Sequence, residues 1–178
     1  PKHSIYDSIT SPFDYSKGIF SVPRMRSLPN DHAAHTREII DLLPALLNLH
    51  RASLVLFSSK KQMAQVYSGL SPKVQENILL QEELSKSEIL KEHIRTIDLG
   101  TRSSIFGLNS FAEGVDLPSK YCEHVIIAKL PFSVPDDPIS LALCEWVEKR
   151  GGNSFMKVNV PEAALRLVQA SGRLLRSE

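Results

Sequence analysis

The chain has 178 residues, of which 42% are hydrophobic, enough for one domain with a proper core. Its 21 basic and 20 acidic residues leave a formal charge of +1, which argues against a broad basic nucleic-acid surface and leaves phosphate contacts that are local or shared with another domain. Cys122 and Cys144 form no CxxC pair, which excludes a disulfide framework or a four-cysteine metal site; they read as reduced thiols of a cytoplasmic protein. No apolar run approaches the ~20 residues of a membrane span and no signal peptide opens the chain, so no membrane association is expected. The chain begins at Pro1 rather than Met and stops at Glu178 directly after a helical pattern, so a piece of a longer protein is expected.

Residues 1–30 are rich in turn signals around one short apolar run, Ile19 to Val22, and read as a linker segment with one strand. Asn30 or Asp31 caps a helix with apolar positions at Ile39, Leu42, Leu43, Leu46 and Leu47, which Pro44 should kink or restart. Residues 53–57 (SLVLF) form a continuous apolar run, the pattern of a strand buried on both faces. Further along, residues 60–70 read as a helix, 78–80 as a strand, 85–97 as a helix, 104–108 and 124–130 as strands, and 139–149 and 161–176 as helices. Strands alternating with helices predict an α/β domain with a mainly parallel sheet over residues 31–178. Ligands bind beyond the carboxyl ends of such strands, so the loops after Phe57, Leu108 and Leu130 are the places to look for chemistry.

The last helix carries Gln169, Gly172, Arg173 and Arg176 at i, i+3, i+4 and i+7, on one face, with Leu167, Val168, Leu174 and Leu175 on the other, expected to pack on the sheet. Two guanidinium groups and an amide then project together, and the glycine between them admits a ligand or partner backbone. By spacing alone, a solvated basic face of an ordinary amphipathic helix fits equally. Ser58 and Ser59 follow the buried strand and open a helix, with Lys60 and Lys61 behind them, a combination suited both to helix capping and to binding phosphate.

The wording of these segments adds a resemblance. QASGRLLR is similar to the QxxGRxxR motif VI of superfamily-two helicases, and its flanking residues to the XPD and DinG branch. LVLFSS, residues 54–59, resembles motif IV, and SSIFGLNSFAEGVDL, residues 103–117, resembles motif V with its SxxEGxD run from Ser110 to Asp116. The segment SPFDYSKGIFSVPRM resembles the linker by which DinG proteins enter their second lobe, so the likeness covers essentially the whole chain.

Membership of that branch implies a RecA-like (P-loop NTPase-type) second helicase lobe with ATP and Mg2+ bound jointly with an N-terminal helicase lobe. Arg173 and Arg176 would be arginine fingers, a device contributing ~10³–10⁵ in rate in related phosphoryl transfers. Gln169 would orient the γ-phosphate or the attacking water. Glu113, Gly114, Asp116 and Gly172 would lie at the nucleotide, although Asp116 also suits an N-cap or turn. Ser58, Ser59, Lys60, Ser110 and Phe111 would hold single-stranded DNA, Phe111 being either a base-stacking ring or core. The resemblance implies 5′–3′ movement and a monomer.

The chain has no GxxxxGK[ST] loop and no DEAH-like box, and it lacks the four cysteines of a 4Fe-4S cluster. In the family these belong to the first lobe, so this polypeptide alone is expected to be inactive as an ATPase. A RecA-like nucleic-acid-binding or scaffolding module without a catalytic role is the alternative. His32 and His35 form an HxxH with no convincing third ligand, Trp146 is expected to pack, and the acidic residues from Glu76 to Glu92 are expected to form a solvated helical face.

Overall fold

The structure, a computed structural model, describes residues 18–28, 30–112, 115–132 and 138–172. Its framework is a four-stranded sheet of β1 (Ala52–Phe57), β2 (Ile78–Leu80), β3 (Ser103–Leu108) and β4 (His124–Ile127), in the order β2-β3-β1-β4 with every pairing parallel. The elements run α1 (His32–Leu47), β1, α2 (Lys60–Gly69), α3 (Pro72–Gln75), β2, α4 (Lys86–Asp98), β3, α5 (Asn109–Ala112), β4, α6 (Pro138–Glu148) and α7 (Val160–Ser171). A 3₁₀ turn, Ser119–Tyr121, precedes β4, and a π-helix, Phe155–Asn159, runs into α7.

Strand alternation sends successive side chains to opposite faces, and both faces are covered. Val55, Phe57 and Phe106 point to the side of α1 and α2, where they meet Leu43, Met63 and Val66. Phe57 and Phe106 stack tilted, with centroids 5.3 Å apart. Leu54, Leu56 and Ile105 point the other way, into a second cluster with Ile89 of α4 and Ala170 of α7. This layered α/β arrangement with a parallel sheet is the expected fold class.

Local chemistry sets the element ends. The Asp31 side chain accepts from Ala34 N at 3.0 Å, and Ser85 with Glu88 closes a reciprocal capping box on α4. Gly100, at φ 79°, ends α4: its amide bonds Ile97 O and that of Thr101 bonds Thr96 O, turning the chain into β3. Glu38 on α1 accepts from Ser27 Oγ and from the amides of Ser27 and Arg26, bonds that hold its carboxyl at about 2 and fasten the linker to the helix.

Several expectations are corrected. Ile19, Phe20 and Val22 form no strand and are exposed, Ile19 at 94%, because no sheet edge pairs with them. Pro44 lies inside a continuous α1 rather than restarting it. β4 ends at Ile127, short of Leu130. The last helix begins before Pro161: in a regular α-helix that ring would press on the carbonyl of Lys157, and the backbone widens there into the π-helix. Trp146 is 55% exposed and carries the Arg150 guanidinium 3.7 Å above its ring. The acidic residues between Glu76 and Glu92 form no single helical face, since β2 and a turn interrupt them.

Candidate functional site

Parallel pairing collects the carboxyl ends of all four strands on one edge. β1 and β3 are neighbours in register, with Phe57 opposite Leu108, so the segments that follow them leave the sheet side by side. Ser58, Ser59 and Lys60 leave β1; Asn109, Ser110 and Phe111 leave β3. Two of the motifs read from the sequence are therefore brought together by the sheet.

At the first exit, Ser59 is extended (φ −143°, ψ 131°) and its Oγ accepts from Gln62 N at 3.4 Å, so the capping role is real. Ser58 is exposed beside it, and Lys60 Nζ lies 3.3 Å from Glu82 Oε1. That pair is largely open to solvent and worth ~0–1 kcal/mol, so an incoming phosphate can replace the carboxylate. Beneath the turn, Gln62 is buried, its Nε2 donating to Thr36 Oγ1 at 3.3 Å and to His35 Nδ1 at 3.2 Å. Accepting at Nδ1 leaves the His35 proton on Nε2; burial, aided by Lys129, lowers its pKa and keeps the ring neutral. His35 thus anchors α1 to α2, and among the described residues no group of three potential metal ligands occurs.

At the second exit, Phe111 is core. It is 3% exposed and lies against Gly107, where an added Cβ would come within 2.9 Å of Phe111 Cβ and Cγ. Lys86 Nζ sits 5.3 Å from the ring centroid. Phe111 has no face open to a base, so of its two readings, a base-stacking ring or core, the core one holds. Its burial fixes the four-residue α5 and leaves Ser110 exposed at the edge. Glu113 and Gly114 lie outside the described residues. Val115 and Leu117 are buried in the second cluster, and Asp116 between them is exposed.

α7 reaches this side of the sheet through small residues. Ala163 and Ala170 are buried, Leu167 is half-buried, and Ala170 joins the cluster that holds Val115 and Leu117. Gln169 is exposed and Gly172 half-buried; Arg173 and Arg176, with Leu174 and Leu175, lie outside the described residues. Val168 was expected to pack on the sheet but is 66% exposed, because the helix turns Ala170 into the second cluster instead. Cys122 is buried and Cys144 half-buried on α6; two thiols cannot supply the four ligands of an iron–sulfur cluster.

Sequence reasoning passed over three residues that hold the site. Gly107 carried a readable signal, an isolated glycine inside a strand. His93 is fully buried in α4: its Nε2 donates to Tyr121 O at 2.8 Å and its Nδ1 accepts from Ser103 Oγ at 2.8 Å, tying α4, β3 and the turn before β4 together. Burial lowers its pKa and holds it neutral. Gln81 accepts from Leu108 N at 2.7 Å through its side chain. Neither His93 nor Gln81 belongs to a recognisable motif.

Residues 43–178 match the family model described as the helicase C-terminal domain. The chain belongs to that family, and its sheet is the RecA-like one the family implies. Within it, the sequence is similar to DinG-type helicases. It is 41% identical over 174 residues to the ATP-dependent DNA helicase DinG of Photobacterium profundum, covering 96% of this chain and 25% of that protein. It is 36% identical over 169 residues to the ATP-dependent DNA helicase YoaA of Haemophilus influenzae, covering 93% and 26%, and 34% identical over 170 residues to the ATP-dependent helicase DinG of Mycobacterium tuberculosis, covering 94% and 25%. The chain spans about a quarter of the length of these relatives. Among the described residues no helix is long and apolar enough to cross a membrane.

Proposed function

We propose that residues 31–178, preceded by a linker at 1–30, are the second RecA-like motor lobe of an ATP-dependent DNA helicase that moves 5′ to 3′ along single-stranded DNA as a monomer. The observation that carries this reading is the pair of strand exits standing side by side, with Ser58, Ser59 and Lys60 on one and Ser110 on the other. Exposed hydroxyls, a helix N-terminus and a lysine whose carboxylate partner is readily exchanged make a phosphate-backbone grip. It reads no base, which suits a motor that must pass over any sequence. The relatives' printed activity, ATP-dependent helicase action, supports the same reading.

ATP and Mg2+ are held jointly with an N-terminal lobe, which supplies the phosphate loop and the metal-binding carboxylates absent from this sequence. If the whole protein carries a 4Fe-4S cluster, it belongs to that lobe too. Asp116, Glu113, Gly114 and Gly172 are assigned to nucleotide binding, Gln169 to orienting the γ-phosphate or attacking water, and Arg173 and Arg176 to neutralising the charge that develops on the γ-phosphate. In the full-length protein, Arg173→Ala is expected to lower ATP hydrolysis by about 10³–10⁵ while oligo(dT) binding persists. Hydrolysis at the parental rate would remove the finger role.

A further inference from the structure

β2 is three residues long, yet the strand it pairs with runs on. Ile78, Leu79 and Leu80 stand opposite Ser104, Ile105 and Phe106, while β3 continues to Leu108. The Ser104 amide donates to Asn77 O at 2.8 Å, and a parallel ladder repeats every two residues, so the Leu108 amide falls due at the Gln81 carbonyl. The chain turns at Gln81 instead. Its own amide still donates to Phe106 O at 3.0 Å, and its side-chain Oε1 takes the place of the missing carbonyl, accepting from Leu108 N at 2.7 Å. One side chain thus adds a last rung to the ladder at the residue where β3 gives way to α5.

The next residue reaches the other exit: Glu82 pairs with Lys60, the first residue of α2, at 3.3 Å. A single turn is therefore fastened to the starts of both segments that leave β1 and β3. α5 is only four residues long. Its placement depends on Phe111 against Gly107 below and on the Leu108 amide at its root. Without an acceptor, that part-buried amide has to swing toward water, carrying Asn109 and Ser110 with it.

We propose that Gln81 is a positioning residue for DNA binding: its carboxamide oxygen fixes the exit of β3 so that Ser110 meets the strand beside Ser58 and Ser59. The inference rests on the strand-grip reading given above. In the full-length protein, Gln81→Met and Gln81→Ser are each expected to raise the oligo(dT) concentration for half-maximal ATPase stimulation about tenfold, the rate at saturating oligo(dT) being restored. Gln81→Glu keeps an acceptor at the same reach and is expected to stay within about twofold of the parent. Should the methionine variant fail to fold, the serine variant, whose side chain is too short to reach the Leu108 amide, carries the test. Rates that fall together at every oligo(dT) concentration, an unmoved half-saturation point, or a glutamate variant as impaired as methionine would each overturn the proposal. Lys60→Ala and Ser110→Ala separate the two claims. Normal oligo(dT) binding in both removes the strand grip itself, whereas weakened binding in them with unchanged Gln81 variants removes only the positioning role.

Discussion

All six residues of β1 are buried, whereas of the twelve in α7 only Ala163 and Ala170 are. The segments leaving β1 and β3 inherit their positions from packed strands, so Ser58, Ser59 and Ser110 stand on a rigid platform. α7 joins the cluster on one face of the sheet through Ala170, while Leu165 and Val168 face outward. A buried alanine contributes little burial energy, so α7 gains less from packing than the strands do. The proposed strand grip therefore rests on the most deeply buried part of the sheet, and the proposed arginine helix on a less buried element.

The contrast can be broken by unfolding measurements on the 178-residue chain. Phe57→Ala, which empties a fully buried site beside Phe106, is expected to cost about 3–5 kcal/mol in urea denaturation. A cost close to that of a surface change would show the sheet to be no firmer than α7. A smaller effect comes from His93. Its folded pKa lies below 6.5, so the unfolded chain binds the proton more readily, and His93 lets stability fall as pH drops below 6.5. His93→Gln should flatten that part of the stability-versus-pH curve, and an unchanged slope would place the titrating group elsewhere. Smallest of all, Val168→Ser is expected to stay within about 0.5 kcal/mol of the parent. A larger loss would mean that this face of α7 is covered after all.

Much of the framework was legible because it is written in local patterns. The continuous apolar run at residues 53–57 announced a strand buried on both faces, and residues 85–97 were legible as the helix α4. The motif wording around Ser110, Asp116 and Gln169 pointed to the family that residues 43–178 match. The outward turn of Val168 was not legible, since two faces of an amphipathic helix compete for burial and the one carrying Ala163 and Ala170 is the buried one. Phe111 looked equally fit for a base or for the core until the backbone of Gly107 was seen against its ring.

By itself, then, the sequence determined the four strands of the sheet, the longer helices between them, and that polar residues follow β1 and β3. Those properties depend on neighbours a few residues away. Only the tertiary structure decided that Phe57 and Leu108 end in register, that the Gln81 side chain stands in for a backbone carbonyl, and that His93 ties β3 to the turn before β4. Each of these joins elements distant in sequence, and register across a sheet is a property of the assembled layers, not of any one strand.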